Sequence, residues 1–103
     1  MSVQLLIVYP PPNDPAKFDR AYCEEHLPYA GPRLLGATGV TTKHVLGAPS
    51  GAPFAHTISF VEFPTAEIAK TCAQSKGGQE ALAHAASIST GGPPQFLLVE
   101  DAS

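Results

Sequence analysis

Val3-Gln4-Leu5-Leu6-Ile7-Val8-Tyr9 runs into Pro10-Pro11-Pro12, and Asn13-Asp14-Pro15 follows at once. The first seven residues are rich in branched and aromatic side chains, so they read as a buried strand with a hard stop. Asp14 can accept from the orphan amides of a helix start, and Pro15 suits the first helical position. Phe18, Tyr22 and His26 then recur at i, i+4 and i+8 with Ala21 and Glu25 beside them, which predicts one buried helical stripe. Asp19, Arg20 and Glu24 fall on other faces and are expected in water. Pro28 has no N–H to offer the Glu24 carbonyl and its ring crowds that group, so the helix is expected to end or kink near His26.

Further along, Val40 to Leu46 (VTTKHVL) and Ala55 to Phe63 (AHTISFVEF) read as two strands, separated by the turn-forming Gly47-Ala48-Pro49-Ser50-Gly51. Thr65 is the expected N-cap of a second helix, with Glu67 in its first turn. Ile68 and Cys72 lie on its apolar side. Gly77-Gly78 is expected to break or bend it before Ala81, Leu82, Ala85 and Ala86 continue it. Gln95 to Glu100 (QFLLVE) is the last strand, after the loop Gly91-Gly92-Pro93-Pro94.

The resulting order, β-α-β-β-α-β, predicts an α+β fold of the ferredoxin-like kind: a four-stranded antiparallel sheet with the helices on one face. Leu5-Leu6-Ile7-Val8 and Phe96-Leu97-Leu98-Val99 are apolar toward both faces, so the other face is expected to be covered. A second copy of the chain is the simplest cover, and a low charge content of 15% fits a covered surface.

A chain of 103 residues suits one domain spanning 1–103, with a thin core that gains from burial against a partner. Six basic residues stand against nine acidic ones, without a basic cluster, which argues against nucleic acid as a partner. No apolar stretch approaches membrane-spanning length, and the N-terminus lacks the basic region and cleavage site of a signal peptide, so a cytoplasmic protein is expected. Cys23 and Cys72 match no metal spacing; a single disulfide between them is the alternative, and buried, reduced thiols are the expectation. Neither a G-x-G-x-x-G or Walker loop nor a G-x-S-x-G elbow occurs, and no metal ligand set is assigned.

Tyr9-Pro10-Pro11-Pro12-Asn13-Asp14-Pro15-Ala16-Lys17-Phe18-Asp19-Arg20-Ala21-Tyr22, followed by His26-Leu27-Pro28-Tyr29-Ala30, resembles the EthD family, named for a protein of ethyl tert-butyl ether degradation. The shared features are the tyrosine-proline strand end, the D-x-x-x-F-D-x-x-Y helix start and the H-L-P helix end. Two positions depart from the family's pattern: Cys23, where a second tyrosine is common, and Tyr29, where a leucine is usual. The resemblance implies a dimeric α+β barrel, two four-stranded sheets packed together as a homodimer. It implies small cyclic or aromatic metabolites as ligands and chemistry without a bound cofactor. An association with oxidoreductase activity and with heme-binding relatives also comes with it.

His26 is the first candidate for that chemistry. At a helix end the dipole favours the charged imidazole, and its ordinary pKa of ~6.5 suits general acid/base work. The alternative is a structural histidine that donates to a free carbonyl near Pro28. Val40, Thr42, His44 and Leu46 share a strand face by period two, so His44 could approach His26 if that face meets the helices. Two imidazoles would suit acid and base roles, or heme or metal ligation; the bland reading is a strand-edge histidine in water. Tyr22 and Tyr9 could hydrogen-bond an oxyanion, or could simply pack in the core. Phe18, Leu27 and Tyr29 complete the expected substrate contacts. His56 ranks below these, and His84 is expected on the surface. The functional expectation is isomerase-, lyase- or cyclase-like proton transfer; a non-catalytic accessory protein of an oxidative pathway is the alternative.

Overall fold

A computed structural model describes residues 2–102. β1 (Val3–Tyr9) leads into α1 (Pro15–Arg20), which passes without interruption into a π-helical segment (Ala21–His26), a further turn α2 (Leu27–Ala30) and a 3-10 turn (Gly31–Arg33). β2 (Gly39–His44) and β3 (Thr57–Phe63) follow, then α3 (Ala66–Gln74), α4 (Lys76–Ile88) and β4 (Gln95–Glu100). The sheet order is β2-β3-β1-β4 and every pairing is antiparallel, as the ferredoxin-like reading requires. The helices cover one face, giving a two-layer slab 18 Å thick.

The expected caps are in place. The Asp14 side chain accepts from the Lys17 amide at 3.1 Å, and Thr65 Oγ1 accepts from the Ile68 amide at 3.2 Å. Two helix boundaries differ from expectation. The first helix does not stop at His26. The π-helical segment widens the turn, and the Leu27 amide reaches back to the Tyr22 carbonyl five residues earlier. That shift relieves the crowding Pro28 would impose in a regular helix, so the chain stays helical through Ala30. In the second half the break falls at Ser75, not at Gly77-Gly78. Ser75 is extended, and its hydroxyl caps α4 by accepting from the Gly78 amide at 3.0 Å. The glycines are needed for close approach: a Cβ on Gly78 would lie 1.8 Å from the Cys72 carbonyl oxygen.

The core lies between layers. Val3, Leu5, Ile7 and Tyr9 of β1, with Val61 and Phe63 of β3, meet Phe18, Tyr22, Ala69, Cys72, Ala81 and Ala85. On the opposite face the register aligns Phe60, Leu6 and Leu97 in one row across three strands, with Ile58 and Val8 in the next. Among the described residues the helical layer packs on the other face; in these rows Val8 is buried, Leu6, Ile58 and Phe60 are half-buried and Leu97 is exposed. Both cysteines are free; Cys72 is buried as expected, and burial pushes its thiol pKa up, whereas Cys23 is exposed.

Candidate functional site

The helical stripe and β2–β3 run alongside each other with matched steps. Four residues of helix advance ~6 Å and two residues of strand ~6.6 Å. Phe18 therefore sits at the level of His44 and Thr57, Tyr22 at Thr42 and Ser59, and His26 at Val40 and Val61. Two clefts open along this seam. One, of about 250 Å³, is lined by Tyr22, His26, Leu27, Val40, Ser59 and Val61 among others. The second, of about 180 Å³, is lined by Phe18, Asp19, Tyr22, Cys23, Leu27, Thr42, His44 and Thr57. Tyr22 and Leu27 border both, so the clefts adjoin, and together they reach the lower part of the ~300–1,000 Å³ range of small-molecule sites. A larger groove, about 480 Å³, lies on the other side of α1, but Asn13, Asp14, Lys17 and Glu25 give it a solvated, polar rim.

Tyr22 supplies the polar centre of the seam. It is 4% exposed, and its hydroxyl lies 2.7 Å from Thr42 Oγ1 and 2.5 Å from Ser59 Oγ. This chain of hydroxyls links the helix to β2 and β3. Tyr9 stacks edge-on against Phe18 and Tyr22, with ring centroids 5.1 and 5.7 Å away, beneath the seam rather than on it. Its hydroxyl is buried and has no hydrogen-bond partner among the described residues, and burial raises its pKa well above the ordinary tyrosine value. Removing an unsatisfied buried hydroxyl relieves its desolvation cost. Tyr9→Phe is accordingly expected to stabilise the protein by about 1 kcal/mol. Urea denaturation reads this, and a loss of stability would show that the hydroxyl has a partner in solution.

His26 is 4% exposed and is not paired with His44. His44 lies two strand steps beyond Val40, level with Phe18 and not with His26, and its neighbours are Thr57 and His56. The partner of His26 is His84, expected on the surface but half-buried. The two rings lie edge to edge and nearly coplanar, centroids 5.2 Å apart with 9° between planes, and their Nδ1 atoms lie 2.9 Å apart. One Nδ1–H must donate to the other Nδ1, which couples the tautomers of the two rings. Tyr29 stacks on the outer face of His84 at 4.7 Å and carries the Arg33 guanidinium 3.7 Å above its own ring. Tyr29 thus supports His84 and lines neither cleft.

The charge state of His26 also differs from the helix-end expectation. Burial first, and the neighbouring His84 second, hold its pKa down at about 4. The helix does not end there, so no free carbonyls offset the desolvation. The unfolded chain binds this proton near pH 6.5 and the folded chain only near 4, so stability falls as pH drops through that window. Above pH 6.5 both states are neutral and the contribution is flat. The loss is about 2 kcal/mol, the full ~3 kcal/mol being reduced because water reaches the cleft. Urea midpoints measured from pH 7 to pH 4 should show this decline, and His26→Gln should flatten it.

At the other end of the seam, Asp19, His44 and His56 come together. His56 Nε2 lies 3.0 Å from Asp19 Oδ1, so Asp19 is not the free surface carboxylate its helix position suggested. One ligand atom from each residue falls within 4.8 Å of the other two, although no sequence spacing joins them. A histidine-ligated heme does not fit the seam: His26 is nearly buried with one nitrogen committed to His84, and neither cleft has room for a porphyrin. Among the described residues no helix is long and apolar enough to cross a membrane.

No family model matches the chain, and no curated protein does. Solved structures do. An EthD family protein from Bacillus halodurans C-125 superposes with a TM-score of 0.86 at 20% identity, covering 98% of this chain and 99% of its own. A dimeric ferredoxin-like protein of unknown function from Jannaschia sp. CCS1 gives 0.68 at 14% identity, covering 98% and 100%. SnoaB, a cofactor-independent oxygenase from Streptomyces nogalater, gives 0.66 at 11% identity, covering 99% and 94%. At these identities the likeness is one of fold. The chain is a ferredoxin-like α+β protein that resembles an EthD family structure over its whole length.

Proposed function

We propose that the chain is a homodimeric enzyme of small-molecule metabolism that removes a proton from a small cyclic or aromatic substrate held in the seam between the first helix and β2. The observation that carries this reading is His26, an imidazole kept neutral at physiological pH at the wall of an apolar cleft. Its Nδ1 is occupied by His84, which leaves Nε2 for the cleft. When His84 accepts the shared hydrogen bond, His26 carries a lone pair on Nε2 and acts as a base. As Nε2 takes up a proton, the Nδ1 proton can pass to His84, whose ring reaches solvent. His26 is thereby left neutral with the substrate's proton on Nε2, from which it can be returned to the substrate as an acid, and the base is restored when that proton leaves and Nδ1 regains one from His84. Tyr22, backed by Thr42 and Ser59, is placed to donate to the oxygen on which negative charge develops. Phe18 and Leu27 supply apolar walls. This proton transfer needs no cofactor.

The carbanion so formed has two fates. Return of the proton at another carbon gives isomerisation. Reaction with dioxygen gives oxygenation, a reading supported by the fold likeness to a cofactor-independent oxygenase. Both share the deprotonation, so the test is base-catalysed exchange: cyclic 1,3-dicarbonyls, lactones and phenolic ketones are incubated with the protein in D2O and followed by NMR. Exchange that depends on His26 supports the reading, and oxygen uptake then separates its two branches. Absence of exchange for every compound that binds would overturn it in favour of a carrier.

A further inference from the structure

We propose that Asp19, His44 and His56 form a binding site for one divalent first-row transition ion, with open coordination positions facing the smaller cleft. The three side chains offer two imidazole nitrogens and one carboxylate oxygen, all mutually within 4.8 Å. Ligands in cis positions on such an ion stand ~3 Å apart, given metal–ligand bonds of ~2.0–2.2 Å. One pair, His56 Nε2 and Asp19 Oδ1, is already at 3.0 Å. His44 is exposed on the edge strand and free to close the remaining gap by side-chain rotation.

The supports of the site are rigid. The His56 backbone is pinned on both sides, its N–H donating to the Tyr9 carbonyl at 2.8 Å and its carbonyl accepting from the Val45 amide at 2.9 Å. The His56 ring is held edge-on to Phe18, centroids 5.5 Å apart. His44 lies in the β2–β3 ladder opposite Thr57, whose buried hydroxyl stands 3.4 Å from His44 Nδ1. A donation from Nδ1–H to that hydroxyl sets the tautomer that leaves Nε2 with its lone pair, the usual way a metal-binding imidazole is oriented. Asp19 comes from α1, one turn after its capped start. Three ligands from three anchored segments meet without a large rearrangement.

The donor set decides the ion class. Two imidazoles and one carboxylate suit Zn2+, Fe2+, Co2+ or Ni2+ better than Mg2+ or Ca2+, which prefer all-oxygen sites. Three protein ligands leave positions for an external oxygen donor. Asp19 and His44 themselves line the smaller cleft beside Tyr22 and Leu27, so that donor would be a hydroxyl, carbonyl or carboxylate of a small molecule lying in the seam. The site is separate from the His26–His84 pair, and the proton transfer proposed above stands or falls without it.

The test is Co2+ titration of tag-free, chelator-treated full-length chain, followed by visible ligand-field absorption and by calorimetry. One Co2+ per chain is expected, with bands that shift when acetate or a small phenolate is added. His44→Ala, at an exposed position that should not disturb folding, is expected to weaken binding by about 100-fold or more, and His56→Ala likewise. His84→Ala should leave Co2+ affinity unchanged. Binding that survives His44→Ala, or is lost with His84→Ala, overturns the assignment. So does a parent chain that takes up no stoichiometric Co2+ while its circular dichroism confirms the fold.

Discussion

Leu6→Lys is expected to leave the chain a monomer of 10.7 kDa, and the parent is expected to sediment at about twice that mass. Leu6 is half-buried at the centre of the sheet face opposite the helices. Its cross-strand neighbours on that face are Phe60 and Leu97, and Val8 and Ile58 lie one row away. Leu97 is 47% exposed on the edge strand, and the β2–β3 loop holds Leu46 and Phe54 out at 99% and 81%. A chain of this size has little polar justification for so much apolar exposure, whereas a second sheet packed on the first would cover it. In a two-fold dimer the same patch serves both subunits, so a lysine at Leu6 is counted twice. Burying an uncompensated ammonium costs several kcal/mol, and the resulting loss in dimer affinity is on the order of a thousandfold or more. Gln79→Lys adds the same charge on the exposed surface of α4 and should leave the mass at that of the dimer. A Leu6→Lys chain that still sediments as a dimer would place the interface elsewhere and remove the barrel reading.

The same face explains why the fold was legible in the sequence. Polar–apolar alternation fails in Leu5-Leu6-Ile7-Val8, and that failure is the sequence's signal of a second face that needs cover. The Phe18-Tyr22-His26 stripe was legible for the parallel reason: large side chains at i, i+4 and i+8 fix the phase of a helix, and all three are buried. The partner of His26 was not legible. His84 lies in Ala83-His84-Ala85-Ala86, where small residues give no clear phase, so its orientation is decided by packing of α4 against the first helix. The persistence of the helix past Pro28 was hidden too, because a π-helical turn is a local change of hydrogen-bond pairing that leaves no compositional trace. Read each on its own element, Asp19 is expected in water and His56 ranks as a weak candidate. They meet only because the start of β3 lies beside the end of α1. Tyr29, taken as a substrate contact, faces α4 instead because the π-helical segment sets the phase of the residues after it.

His26→Gln carries the largest expected chemical effect. Glutamine keeps a hydrogen-bonding group toward His84 and nearly the same volume, yet it cannot accept a proton. If His26 is the base, the exchange rate should fall about 10²- to 10⁴-fold, the usual contribution of a positioned general base, while KM changes little. The pH profile distinguishes this from simple damage. With its pKa held at about 4, His26 is unprotonated across neutral pH, so kcat/KM for the parent should be flat from pH 7 down to about 5 and decline near 4. His84 is the second cause of that depression after burial. His84→Phe keeps an aromatic ring beside His26 but removes the partner nitrogen, so the declining limb should move upward, part of the way toward the ordinary histidine value. It should also slow turnover, because the buried imidazolium would lose its outlet to solvent. A His26→Gln chain that exchanges substrate protons within a few-fold of the parent would make His26 structural, with His84 serving only to seal the helix–helix contact. A limb that stays near 4 in His84→Phe would show that burial alone sets the base, and the two-imidazole relay would fall while His26 kept its role.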